Sequence, residues 1–136
     1  DVHHGNGTQD IFLNNKNVLF ISLHQERIFP GTGNISEKNC KNYLLKAGTK
    51  PKEYLRVFSH AIKDVKEFKP SLIAISAGFD TYKGDPITDL GLEINTYQQI
   101  GKKIKALNKP AFAVLEGGYS QDLPKCIQSF LRGLGR

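Results

Sequence analysis

The chain has 136 residues, 39% of them hydrophobic and 24% charged, with 19 Lys and Arg against 13 Asp and Glu for a net charge of +6. That length suits one domain with a buried core, and the composition excludes a disordered or low-complexity chain. No apolar run is long enough to span a bilayer and no signal-peptide pattern opens the chain. Cys40 and Cys126 are too few for a disulfide scaffold and form no CxxC pair. The expected setting is a reducing one, the cytoplasm.

In chain order, the sequence opens on a dense polar cluster, Asp1-Val2-His3-His4, expected at the tip of a further strand. Asn17 to His24 is a short apolar run rich in β-branched and aromatic residues, and Gly31-Thr32-Gly33-Asn34 reads as a long loop. Tyr54, Phe58, Ile62, Val65 and Phe68 recur at helical spacing. Ser71 to Gly78, after Pro70, is the second apolar run, and Gly84-Asp85-Pro86 is a turn. Tyr97, Ile100, Gly101, Ile104 and Leu107 mark the next helix. Ala111 to Glu116, between Pro110 and Gly117-Gly118, is the third run, and Leu123 to Leu134, with Ile127, Phe130 and Leu131, the last helix.

Continuous rather than alternating apolar runs predict strands buried on both faces, hence a parallel sheet flanked by helices in an α/β fold. No linker or internal repeat divides the chain. With no methionine, it is expected to be part of a longer protein or a processed chain. The lysines are scattered over helices and turns, from Lys16 to Lys109, rather than gathered with aromatics on one face. A solvated surface is expected, not a nucleic-acid footprint.

Ligands in open α/β sheets gather beyond the carboxyl ends of the strands. There stand Gly78-Phe79-Asp80 and Glu116-Gly117-Gly118-Tyr119. Asp1 and His3, two apart in an extended segment, share one side of it. With Asp80 they make two carboxylates and one imidazole, a set suited to a catalytic divalent metal. Each element alone has an ordinary reading: a capping Asp beside a surface His, a turn Asp, a Gly-Gly turn, a packed Tyr.

Six motifs occur together and in order: Asp-Val-His-His-Gly-Asn-Gly-Thr-Gln at 1–9, Ser-Leu-His at 22–24, Phe-Pro-Gly-Thr-Gly at 29–33, Ser-Ala-Gly-Phe-Asp at 76–80, Gly-Asp-Pro at 84–86 and Leu-Glu-Gly-Gly-Tyr at 115–119. In this the chain resembles, almost end to end, the zinc-dependent histone deacetylase and acetylpolyamine amidohydrolase superfamily, above all its bacterial and archaeal members. The resemblance implies an arginase/deacetylase-like fold in which residues 1–136 form the C-terminal portion of one catalytic domain. It implies Asp1, His3 and Asp80 as zinc ligands, with Fe2+ as an alternative metal. Tyr119 matches the residue that polarises the amide carbonyl, and Gly117 and Gly118 the backbone that passes close to substrate. Phe29 matches a wall of the acetyl-lysine channel and Ile87 its rim.

A structural potassium ion is implied at Asp1, His3, Ser22 and Leu23, and a second monovalent site at Phe12, Asn15 and Val18. The paired histidines that move protons in the family lie upstream of the Asp-x-His motif and are not in this chain; His4 is expected to be structural. Asn6 stands where several relatives carry an aspartate, and the loop Gln25-Glu26-Arg27-Ile28 is shorter than in eukaryotic class I enzymes. The implied activity is release of acetate from acetyl-lysine peptides or small acetylated amines. The alternatives are an acetylpolyamine amidohydrolase and a non-catalytic metal-binding or interaction domain. Without its proton-transfer histidines, the chain alone is expected to be nearly inactive.

Overall fold

The computed structural model describes residues 1–135. The elements run α1 (Asn6–Phe12), β1 (Phe20–Gln25), β2 (Cys40–Leu45), α2 (Pro51–Phe68), β3 (Ile73–Ala77), α3 (Ile94–Lys105), β4 (Ala111–Leu115) and α4 (Leu123–Leu134). All strand pairing is parallel, as expected, but it forms two pairs: β1 with β2 (Phe20 beside Cys40) and β3 with β4 (Ile73 beside Ala111).

Residues 1–3 lie between the two pairs. The Val2 carbonyl accepts the Gln25 N–H at 2.9 Å and the Asp1 amino group donates to the Gly78 carbonyl at 3.2 Å. The expected strand tip is thus an extended segment, wedged between the C-terminal ends of β1 and β3.

Local chemistry sets the helix ends. Pro51 opens α2 where its missing N–H costs nothing, and Lys69 closes it in the left-handed region at φ 56° just before Pro70. Glu93 and Thr96 form a reciprocal capping box at the start of α3. Helices α3 and α4 cross at Gly101 and Gly133, where an added Cβ on Gly101 would come 2.9 Å from Gly133 Cα. In the core, Phe79 packs tilted against Tyr97 and edge to face against Phe130, with ring centroids 5.1 and 6.0 Å apart.

One expectation fails here. Burial of β3 alternates, and β4 is exposed along its whole length rather than buried on both faces. Ala74 and Ser76 of β3 and, in register with them, Phe112 and Val114 of β4 present a solvent-facing sheet surface. An apolar run records that a strand is built to be covered; covering it takes a further layer, which residues 1–135 do not place there. No helix of the described residues is long and apolar enough to cross a membrane.

Candidate metal centre

Asp80 follows β3 in a segment pinned from both sides. The Tyr97 hydroxyl on α3 meets Thr81 Oγ1 at 2.9 Å and donates to the Phe79 carbonyl at 3.3 Å. The Phe79 N–H in turn donates to the Gly117 carbonyl at 2.7 Å, tying the segment to the end of β4. Asp80 is fully buried, and its Oδ1 accepts the Val2 N–H at 2.6 Å. The Asp-x-His segment is thereby fastened to β3 through the backbone of its middle residue, leaving both flanking side chains on the same side.

His3 Nδ1 lies 3.0 Å from Asp1 Oδ1 and 3.3 Å from Asp80 Oδ2, and the ligand atoms of all three residues fall within 4.8 Å of one another. One imidazole nitrogen carries at most one proton, so it cannot serve two carboxylates. Asp80 Oδ2 is buried with no hydrogen-bond partner among the described residues. Two carboxylates and an imidazole converging on one point, with an orphaned buried oxygen, fit a divalent cation. The three residues predicted as ligands from the sequence are the ones the fold brings together.

The glycines predicted near substrate prove to be close-approach positions. The Gly117 N–H donates to Asp1 Oδ2 at 2.9 Å, and an added Cβ would come 2.6 Å from that oxygen and into the Asp80 carboxylate. Gly118 has φ 136° and would drive a Cβ to 2.7 Å from Leu123 Cδ1 at the start of α4. Phe29 sits with its ring 6.2 Å from that of His3, edge to face. Phe29, Ile87 and Tyr119 are 80%, 53% and 61% exposed.

Ser22 and Leu23 lie on β1, Ser22 buried. Ser22 Oγ is 2.9 Å from His24 Nδ1, and His24 Nε2 is 3.2 Å from the Gly33 carbonyl. A carbonyl can only accept, so the His24 proton is on Nε2 and Ser22 donates to Nδ1. Burial and the neighbouring His4 push the His24 pKa down to about 4, keeping it neutral. The Ser22 oxygen keeps its lone pairs free, the form in which a hydroxyl ligates a cation.

The residues implied for a second monovalent site lie around the Asn39 side chain. The Asn39 amide Nδ2 donates to both the Phe12 carbonyl, at 2.8 Å, and the Val18 carbonyl, at 3.0 Å. The Asn15 carbonyl accepts the Val18 N–H.

His4 is buried in a hydrogen-bonded cluster. Buried between Thr32 Oγ1 at 2.7 Å and Gln9 Oε1 at 2.9 Å, its ring also lies 4.7 Å from that of His24. Sequence reading missed Asp85, which joins the Tyr119 and Ile87 loops; its only signal was the Gly-Asp-Pro motif, which any turn could share.

The fold and cluster define a class: an α/β domain that gathers two carboxylates and a histidine beyond the ends of parallel strands, a set that fits a divalent cation. Residues 1–134 match the histone deacetylase domain, and the chain belongs to that family. It is 38% identical, over 98% of its length and 44% of the relative's, to a probable deacetylase of Methanothermobacter thermautotrophicus. It is 36% identical, over 88% of its length and 38% of the relative's, to acetylpolyamine amidohydrolase 1 of Pseudomonas aeruginosa. Its fold matches the acetylpolyamine aminohydrolase of Burkholderia pseudomallei with a TM-score of 0.94 at 28% identity, covering 99% of this chain and 43% of that one. The HDA15 HD domain matches with a TM-score of 0.91 at 33% identity, covering 100% of this chain and 43% of that one. The chain thus spans less than half the length of these relatives.

Proposed function

We propose that residues 1–136 carry the metal-holding part of a deacetylase that hydrolyses N-acetylated amines, acetyl-lysine in a peptide first among them, to acetate and free amine. The observation that carries this reading is the convergence of Asp1, His3 and Asp80 around a buried, unpartnered Asp80 oxygen. A zinc ion held by these three, or Fe2+ in the same set, supplies Lewis-acid polarisation of an acyl oxygen and acidifies water. The chain's own groups provide the rest.

Gly117 N–H fixes the orientation of the Asp1 carboxylate, and Tyr119 offers a phenolic O–H where negative charge develops on the acyl oxygen. Phe29 gives an aliphatic stem an apolar wall. Ile87 places no charge at the rim, where a carboxylate would favour a polycation. Ser22, Leu23 and the Asp1 and His3 carbonyls would hold a potassium ion, whose charge would steady the ligand segment. Proton transfer belongs to a histidine pair outside these residues: His4 and His24 are committed to buried hydrogen bonds, and His60 is exposed on α2.

The test is acetate release by the zinc-loaded full-length protein from an acetyl-lysine peptide, acetylputrescine and acetylspermidine. The peptide is expected to be preferred, with Tyr119→Phe lowering kcat by about 10²–10³. Preference for the acetylated polyamines would move the reading to an acetylpolyamine amidohydrolase, which the fold likeness to such an enzyme supports. No acetate from any substrate with metal bound would refute hydrolysis and leave a metal-binding interaction domain.

A further inference from the structure

Tyr119 sits mid-way along the loop between β4 and α4, directly after Gly117 and Gly118, the second of them at φ 136°. The Asp1 carboxylate holds the loop at Gly117, and a second carboxylate holds it at Tyr119 itself. Asp85 Oδ2 accepts the Tyr119 backbone N–H at 2.7 Å, from 34 residues away in sequence. Its other oxygen, Oδ1, accepts the Ile87 N–H at 3.1 Å, and the Asp85 N–H donates to the Tyr82 carbonyl at 2.9 Å.

Asp85 is only 7% exposed, and among the described residues no Lys, Arg or His forms an ion pair with it. A turn needs only the local half of this arrangement: an oxygen bonding the N–H two residues ahead is supplied equally by Asn or Ser, in full contact with water. Burying a carboxylate for a turn alone is unfavourable. The second, charge-assisted bond into a distant loop is what the buried charge adds.

The geometry points to Asp85 as a positioning residue: one carboxylate that sets the Tyr119 loop against the Ile87 rim and so fixes the span between oxyanion donor and channel mouth. The consequence for turnover rests on the deacetylase reading of Tyr119. The clamp itself is a statement about two backbone amides and is measured separately.

The experiment uses Asp85→Asn and Asp85→Ser in the full-length protein, with amide hydrogen exchange read at Tyr119 and Ile87 beside steady-state kinetics. Asn keeps one acceptor oxygen and Ser keeps a local one, so both retain the turn at Ile87. The Tyr119 amide is expected to exchange about tenfold faster or more while Ile87 changes little. In turn kcat is expected to fall roughly a hundredfold with KM nearly constant, the effect of a small misplacement of a reacting group. Combined with Tyr119→Phe, neither substitution is expected to lower kcat further, because both act through one phenol.

An unchanged Tyr119 exchange rate in both variants overturns the clamp. A freed Tyr119 amide with undiminished kcat, or losses that multiply in the double variant, overturns the positioning role. A wild-type protein that releases no acetate defeats the deacetylase reading instead, and the exchange measurement still decides the clamp.

Discussion

Asp80→Asn separates a metal ligand from a structural carboxylate, because the two roles predict opposite signs for stability. The amide oxygen of Asn retains the bond from Val2 N–H at 2.6 Å, so the local fold survives. What changes is charge. The Asp1 and Asp80 ligand oxygens lie within 4.8 Å of one another, and two such charges repel by about 3 kcal/mol at an effective dielectric of about 20. The Asp1 side chain is 24% exposed, and solvent screening brings the recoverable part to about 1–2 kcal/mol. The metal-free variant should therefore melt a few degrees above the metal-free wild type.

Zinc reverses the order. At a hundred times its dissociation constant a ligand stabilises the fold by about 2.7 kcal/mol. A residue supporting a ligand is worth about 10–100-fold in affinity, so losing the ligand itself should cost at least roughly 100-fold. The assay is a pair of thermal melts with and without zinc, with affinity from competition against a chromophoric chelator. A variant that melts lower than wild type without metal, or binds zinc as tightly, refutes the three-ligand site.

Three further outcomes follow from the same geometry. Gly117→Ala puts a methyl 2.6 Å from Asp1 Oδ2; zinc affinity should fall by at least about tenfold, with far-UV circular dichroism unchanged. For His24, whose folded pKa of about 4 lies below its usual 6.5, the stabilisation is whole above pH 6.5 and drains as pH falls toward 4. The slope there is at most about 1.4 kcal/mol per pH unit, and His24→Gln should flatten it in urea titrations between those limits. Phe29→Ala removes an exposed ring beside His3; KM for an acetylated peptide should rise about tenfold with kcat nearly constant, the mark of binding lost equally from ground and transition states. A fall in kcat alone would instead place Phe29 against the reacting atoms.

The sequence made three of the four helices plain, because α2, α3 and α4 each bury one stripe at the helical period. Helix α1 escaped notice since it spans 7 residues, has no side-chain cap and buries only Gln9. Strand β2 escaped because Lys41 and Asn42 interrupt its apolar run, and its pairing with β1 is a non-local fact. In the site, the shared side of Asp1 and His3 was legible from the period of two. That Asp80 joins them was legible only as a coincidence of strand ends, since its distance depends on Tyr97 holding Phe79 and Thr81 on either side.

Asp80 and Asp85 show the limit most directly. Each sits in a glycine-flanked loop where an aspartate has an ordinary turn reading, and the sequence alone cannot rank them. Partners separate their roles: Asp80 turns one oxygen toward His3 with no donor to satisfy it, while both Asp85 oxygens are met by backbone N–H groups. An unsatisfied buried oxygen calls for a cation, and a fully satisfied one holds backbone in place. The placement of Asp80 also gives the cation a mechanical role. Asp1 and His3 flank Val2, whose carbonyl is bonded to β1 through Gln25, whereas Asp80 extends β3. A metal ligated by all three would add a further link between the β1–β2 pair and the β3–β4 pair, beside the hydrogen bonds from Val2 N–H to Asp80 and from Gln25 N–H to Val2 that already join them.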